Sequence, residues 1–147
     1  VDGFKDDEGC KKFQANKEAQ EAVDNTLKLS EVDTSKYAGI FFVGGHAPMH
    51  ESNEQAIIEK TAEFWNSGRL VSAVCHGPGA IVNVKDEDGK SIFAGKEATG
   101  FSDAEEEQAG LTDQVPFLLE TRLRELGANY TKAPAAWGEC VKVDGNL

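Results

Sequence analysis

Leu70-Val71-Ser72-Ala73-Val74-Cys75-His76-Gly77-Pro78-Gly79 decides the fold. A short apolar run of strand length stops at a cysteine–histidine pair. A Gly-Pro-Gly turn follows, and the pattern through Val84 predicts a short helix from about Pro78. A strand that turns sharply into a helix projects the side chain at its corner above a sheet. Upstream, Ala38 to Val43 reads as a second buried strand ending in the loop Gly44-Gly45-His46. Between the two strands, Ser52-Asn53-Glu54-Gln55 has capping-box character. It predicts a helix with apolar Ile57, Ile58, Ala62, Phe64 and Trp65, closed by Gly68. Downstream, Asp86 to Gly89 is a turn, and Ser91–Ala94 and Glu97–Phe101 are short strand candidates. Ser102 to Gln108 begins a helix or an acidic loop. Pro116 suits the first position of a helix with Leu119, Leu123 and Leu126 on its core face, stopped by Gly127. Ala128–Lys132 and Cys140–Val143 read as the last strands. Before Tyr37 the chain is polar, with a weak helical signal from Lys17 to Leu29. Alternating strands and helices imply right-handed crossovers and a mostly parallel sheet with helices on both faces. Ligands bind such sheets beyond the carboxyl ends of the strands, where Gly44-Gly45-His46 and Cys75-His76-Gly77 lie.

The chain has 147 residues, a length that suits one domain. Its 26 acidic residues against 15 basic ones give a net charge of −11. So acidic a chain is repelled by phosphate backbones and anionic lipid, which argues against nucleic acid and membrane surfaces as partners. No apolar run approaches the roughly 20 residues of a spanning helix. Three cysteines make no disulfide scaffold, so a reducing, cytoplasmic setting is expected. The sequence begins at Val1 and stops at Asp144-Gly145-Asn146-Leu147, a turn leading toward a further strand. This reading expects a single domain over residues 1–147, incomplete at both ends.

Cys75 carries the chemistry. The positive end of a following helix favours thiolate, and His76 can take or give a proton. A small buried hydrophobe at a strand end is the plain alternative. The run Asp103-Ala104-Glu105-Glu106 is by itself a solvated helix start. His46 and His50, with Glu51, invite a metal reading. Pro48 between them breaks the regular i, i+4 facing, and no metal is expected there. Cys10 and Cys140 lack ligand spacing. Trp137 either lines the pocket or packs as an ordinary tryptophan.

Four stretches together resemble the ThiJ/PfpI superfamily, whose fold is similar to class I glutamine amidotransferases. They are Ala73-Val74-Cys75-His76-Gly77-Pro78, Gly44-Gly45-His46-Ala47-Pro48-Met49, Thr99-Gly100-Phe101-Ser102-Asp103-Ala104-Glu105-Glu106 and Val115-Pro116-Phe117-Leu118-Leu119-Glu120. In this order they resemble the branch of glutathione-independent glyoxalases (glyoxalase III) and related stress chaperones. The resemblance implies a flavodoxin-like three-layer sandwich. It also implies a triad with Cys75 as nucleophile, His76 as base and Glu106 as acid, with Glu105 and Asp103 competing for the last role. Gly45 and His46 fall where the family has an oxyanion loop. The family also uses a glutamate from an early strand, for which no motif stands before Tyr37.

The function implied is conversion of methylglyoxal, a 2-oxoaldehyde, to D-lactate through a cysteine hemithioacetal, with no cofactor. Implied partners are the small substrate, a second copy in a homodimer, and possible unfolded-protein clients. A holding chaperone, a protein deglycase and a cysteine peptidase are the alternatives on the same scaffold.

Overall fold

The computed structural model describes residues 4–147. Two compact units divide the chain, the first ending at Val32 and the second running from Asp33 to Leu147.

The first unit is helical. α1 (Glu8–Ala15) is capped by Asp7, whose carboxylate accepts from the Cys10 N–H at 2.8 Å. α2 (Lys17–Asp24) is capped by Asn16, and a single 3-10 turn follows at Leu29–Glu31. The helix expected over 17–29 starts at Lys17 but ends at Asp24, with Asn25 as its C-cap, and Asn16 separates it from a preceding helix, α1.

The second unit is an α/β structure with parallel strands. β1 (Gly39–Phe42) and β2 (Leu70–Ala73) pair in parallel, Gly39 opposite Leu70 and Phe42 opposite Ala73. α3 (Ala47–His50) and α4 (Gln55–Asn66) make the crossover between them. β3 (Glu97–Ala98) and β4 (Asn129–Tyr130) form a second parallel pair, joined through α5 (Asp103–Ala109) and α6 (Leu119–Glu125). Two ties hold the pairs together. The Phe101 N–H donates to the Cys75 carbonyl at 2.8 Å, beyond the ends of β2 and β3. At the other end the C-terminal tail bridges them. The Val71 N–H donates to the Asn146 carbonyl at 2.8 Å, and the Glu97 N–H donates to Asp144 Oδ2 at 3.0 Å.

The core lies on one side of β1–β2. Val71 is buried there with Met49, Ile57, Phe64, Ile81 and Val84. α4 buries Ile57, Thr61 and Phe64 at i, i+4 and i+7, the spacing of one helix face. The opposite side of β1–β2 carries Phe41, Val43, Leu70 and Val74, all exposed.

Several local expectations differ from the structure. The capping box falls not at Ser52 but at Ser102: Ser52 is buried, and α4 starts after Glu54 with no side-chain cap. The helix after Cys75 is a 3-10 segment, Gly77–Ile81, whose two glycines and proline favour a tight turn over α-helix. The helix expected to open at Pro116 begins at Leu119. Cys140–Val143 forms no strand, because the tail bonds to the neighbouring edges through side chains and isolated amides. Ser91–Ala94 makes only one antiparallel bridge, between Ser91 and Lys85.

Close backbone approach at the elbow makes two glycines necessary. A Cβ on Gly44 meets Cys75 Cβ at 2.6 Å, and a Cβ on Gly77 runs into the Phe42 carbonyl oxygen. Gly77→Ala should therefore destabilise the unit by roughly 1–3 kcal/mol, the usual cost of overpacking a site that cannot relax. Chemical denaturation of the variant beside the parent protein measures this, and an unchanged midpoint would contradict the close approach.

Candidate active site

Cys75 sits at the corner between β2 and the 3-10 turn with φ +59, the left-handed region that non-glycine residues seldom occupy. The conformation is held on both sides. The Val74 N–H donates to the Phe42 carbonyl at 3.1 Å, and the Gly77 N–H returns to the Val74 carbonyl at 2.8 Å. The corner turns the thiol toward the loop after β1, where a Cβ on Gly44 would lie 3.2 Å from the sulfur.

His76 follows and points inward. Its Nδ1 lies 3.4 Å from Cys75 Sγ, and its Nε2 lies 2.5 Å from Glu106 Oε2. His76 and Glu106 are almost fully enclosed, their side chains 1% and 2% exposed. The imidazole is clamped between two rings, Phe101 at 4.1 Å and His46 at 4.2 Å between centroids. His46 Nε2 reaches the other oxygen of the same carboxylate, 3.0 Å from Oε1. One glutamate thus serves two imidazoles.

α5 explains which of the three candidate acids, Asp103, Glu105 and Glu106, turns inward. Ser102 caps the helix, its hydroxyl accepting from the Glu105 N–H, while Glu105 Oε2 accepts from the Ser102 N–H at 2.8 Å. Glu105 Oε1 accepts from the Trp137 N–H at 2.6 Å. Asp103 accepts from the Thr121 hydroxyl at 2.5 Å. Both competitors are committed elsewhere, and Glu106, next along the helix, faces His76. The box S-x-x-E at Ser102–Glu105 was the signal in the sequence that could have settled this.

The charges follow the contacts. The hydrogen bond from His76 lowers the Cys75 thiol below its ordinary value, with the Gly45 N–H adding to it against partial burial. Burial opposes protonation of His76, but its bonds to Cys75 and Glu106 outweigh that and raise it. Burial also disfavours the Glu106 carboxylate, and the two histidines overcome it, so Glu106 is lowered. All three shifts favour the charged forms, thiolate, imidazolium and carboxylate.

A cavity of about 540 Å³ opens at Cys75, lined in part by Val74, Phe101, Lys132, Trp137 and Cys140. Trp137 therefore does line the pocket. It is pinned to α5 by its indole N–H on Gln108 at 2.8 Å and lies edge-on to Phe101 at 5.5 Å. His50 and Glu51 are exposed and take no part. Among the described residues, His46 groups with His76 and Glu106 instead.

The motif stretches and this geometry agree with the comparison to known families, in which the DJ-1/PfpI family matches residues 7–143. The chain belongs to the DJ-1/PfpI family. A probable glutathione-independent glyoxalase of Schizosaccharomyces pombe, hsp3104, is 30% identical over 137 residues, covering 90% of this chain and 62% of its own. The structure of rapid encystment protein 24 kDa from Francisella tularensis superposes with a TM-score of 0.89 at 38% identity, over 97% of this chain and 63% of that one. Glyoxalase III of Candida albicans superposes with a TM-score of 0.87 at 28% identity, over 99% and 64%. The chain spans a little over three-fifths of the length of these relatives.

The site predicts selective thiol chemistry. Because the Cys75 thiol is lowered, its reactive thiolate persists as pH falls below the ordinary cysteine range, whereas Cys10 is raised by its bond to Asp7. At about pH 6, iodoacetamide should label Cys75 well ahead of Cys10, read by peptide mass spectrometry. Equal labelling would contradict the ion pair.

Proposed function

We propose that this chain carries the catalytic centre of a glutathione-independent glyoxalase that converts methylglyoxal to D-lactate. The observation that carries the reading is the row Cys75 Sγ, His76, Glu106, with an open cavity at its Cys75 end. The family membership and the names of the relatives support it.

The steps balance without a cofactor. The Cys75 thiolate adds to the aldehyde carbon, and the resulting oxyanion takes a proton to give a hemithioacetal. The Gly45 N–H donates to that oxygen in this reading as charge develops there. His76, returned to its neutral form, removes the hydrogen from that carbon. The electron pair moves into an enediol, and the proton is delivered to the neighbouring carbon. This leaves a thioester of lactate on Cys75. Water attacks it, releases lactate and restores the thiol. Glu106 holds the ring and balances its charge through both half-reactions. His46 shares that carboxylate and reaches the surface, its side chain 39% exposed.

The cavity is far larger than methylglyoxal needs. Longer 2-oxoaldehydes are therefore also expected as substrates.

D-Lactate formation from methylglyoxal tests the reading. Cys75→Ala should abolish it, and activity surviving in that variant would remove the mechanism. Glu106→Gln should keep the fold and lower turnover by roughly 100-fold, in the range seen when general acid–base catalysis is impaired. Its Cys75 labelling profile should move to higher pH, since the imidazolium loses its counter-charge. An unchanged profile would mean that Glu106 does not act through His76.

A further inference from the structure

We propose that His46, His76 and Glu106 form a reversible site for a divalent transition-metal ion, Zn2+ foremost. Its occupation arrests turnover while leaving the Cys75 thiol uncovered. The second half of this statement rests on the proposed glyoxalase reading; the first does not.

The argument begins with the donor set. Two imidazole nitrogens and one carboxylate oxygen lie within 4.8 Å of one another. Two histidines and an acid are ligands that zinc accepts with a fourth position open, and imidazole favours zinc, nickel and copper over magnesium or calcium. Both imidazoles present Nε2 to the same carboxylate, at 2.5 Å from His76 and 3.0 Å from His46. Tetrahedral zinc with bonds of about 2.0–2.1 Å separates neighbouring ligand atoms by about 3.3 Å. The two contacts are to different oxygens of Glu106, Oε1 from His46 and Oε2 from His76, so a rotation of the carboxyl group is needed to bring one oxygen to both imidazoles at that spacing.

Supporting contacts and access are both present. Phe101 stacks on His76, and the His76 Nδ1 is turned to Cys75 Sγ, so the ligating nitrogen is fixed toward the carboxylate. His46 is the one ligand of the three that reaches solvent, and it gives the ion a way in.

The consequence for the thiol is specific. Metal on Nε2 of His76 leaves the ring proton on Nδ1, facing sulfur. The ring still donates to the thiolate but has no free lone pair with which to accept a proton. Turnover stops, and Cys75 stays open to alkylation. Zinc bound to Cys75 itself gives the opposite result, a protected thiol.

Zn2+ titration of the full chain against a chromophoric chelator, without substrate, tests the site. One equivalent per chain is expected, at micromolar affinity or tighter. Glu106→Gln and His46→Gln should weaken binding at least tenfold, while Cys75→Ala binds as the parent protein does. Circular dichroism verifies the fold of each variant, and His46, being partly exposed, is the substitution least able to disturb it. Co2+ in place of Zn2+ should show ligand-field bands with no sulfur-to-metal charge transfer. Iodoacetamide should label Cys75 equally fast with and without Zn2+, while D-lactate formation falls at least tenfold at one equivalent. Binding weaker than millimolar, loss of binding in Cys75→Ala, protection of Cys75, or indifference to His46→Gln would each overturn the site. Absence of D-lactate from the metal-free parent would overturn the glyoxalase reading alone, since the titration judges the site independently.

Discussion

The Cys75 corner governs the second unit. A side-chain-bearing residue in the left-handed region costs of order 1–3 kcal/mol and survives only where its surroundings dictate it. Here they do so from three directions. The Cys75 carbonyl accepts from the Phe101 N–H, Val74 is bonded to Phe42 on β1, and the Gly77 N–H closes the turn beneath. The first of these bonds is also a tie between the two parallel pairs, so the corner and the sheet share it. The thiol position and the sheet geometry are consequences of one backbone arrangement, so strain at the corner is offset by bonds that the fold needs in any case.

The carboxylates of α5 show how one short helix serves several ends. Glu105 closes the capping box and holds Trp137, Asp103 ties α5 to α6 through Thr121, and Glu106 enters the interior. Consecutive residues on a helix are about 100° apart, so two adjacent glutamates cannot share a direction. Once Glu105 is spent on the cap, Glu106 is turned toward the neighbouring layer. There it meets His76 and His46, which make an enclosed carboxylate tolerable.

The elbow was legible in the sequence because its residues are local: an apolar run, Cys75-His76, then glycine and proline. The parallel α/β class followed from the alternation of such runs. Resemblance points to Glu106 among the acids of α5, while the physical reason for its inward turn, the Ser102–Glu105 box, stands in the sequence beside a second such pattern, S-x-x-Q at Ser52, that makes no cap. The role of His46 was not legible, because it depends on a contact spanning 60 residues. The sequence placed His46 beside His50 and Glu51, its neighbours along the chain, while the fold placed it beside His76 and Glu106. The tail over 140–147 misled for a related reason. Its alternating valines have strand character, but Val141 and Val143 are exposed and the segment is held by Asp144 and Asn146. Burial, which no single sequence displays, decides whether such alternation becomes a strand.

The loop after β1 joins the two halves of the site. The Gly45 N–H helps to lower the Cys75 thiol, and the next residue sends its ring to Glu106. A tight loop can divide its attention this way only if the backbone comes very near the corner, which is why Gly44 carries no Cβ: one there would lie 2.6 Å from Cys75 Cβ. Thiol and carboxylate, at opposite ends of the His76 ring, are therefore gripped by adjacent residues of a single loop. Any shift of that loop alters the stabilisation of the thiolate and the counter-charge of the imidazolium together. The poise of the Cys75–His76 pair is thus set by the position of one short segment relative to the elbow.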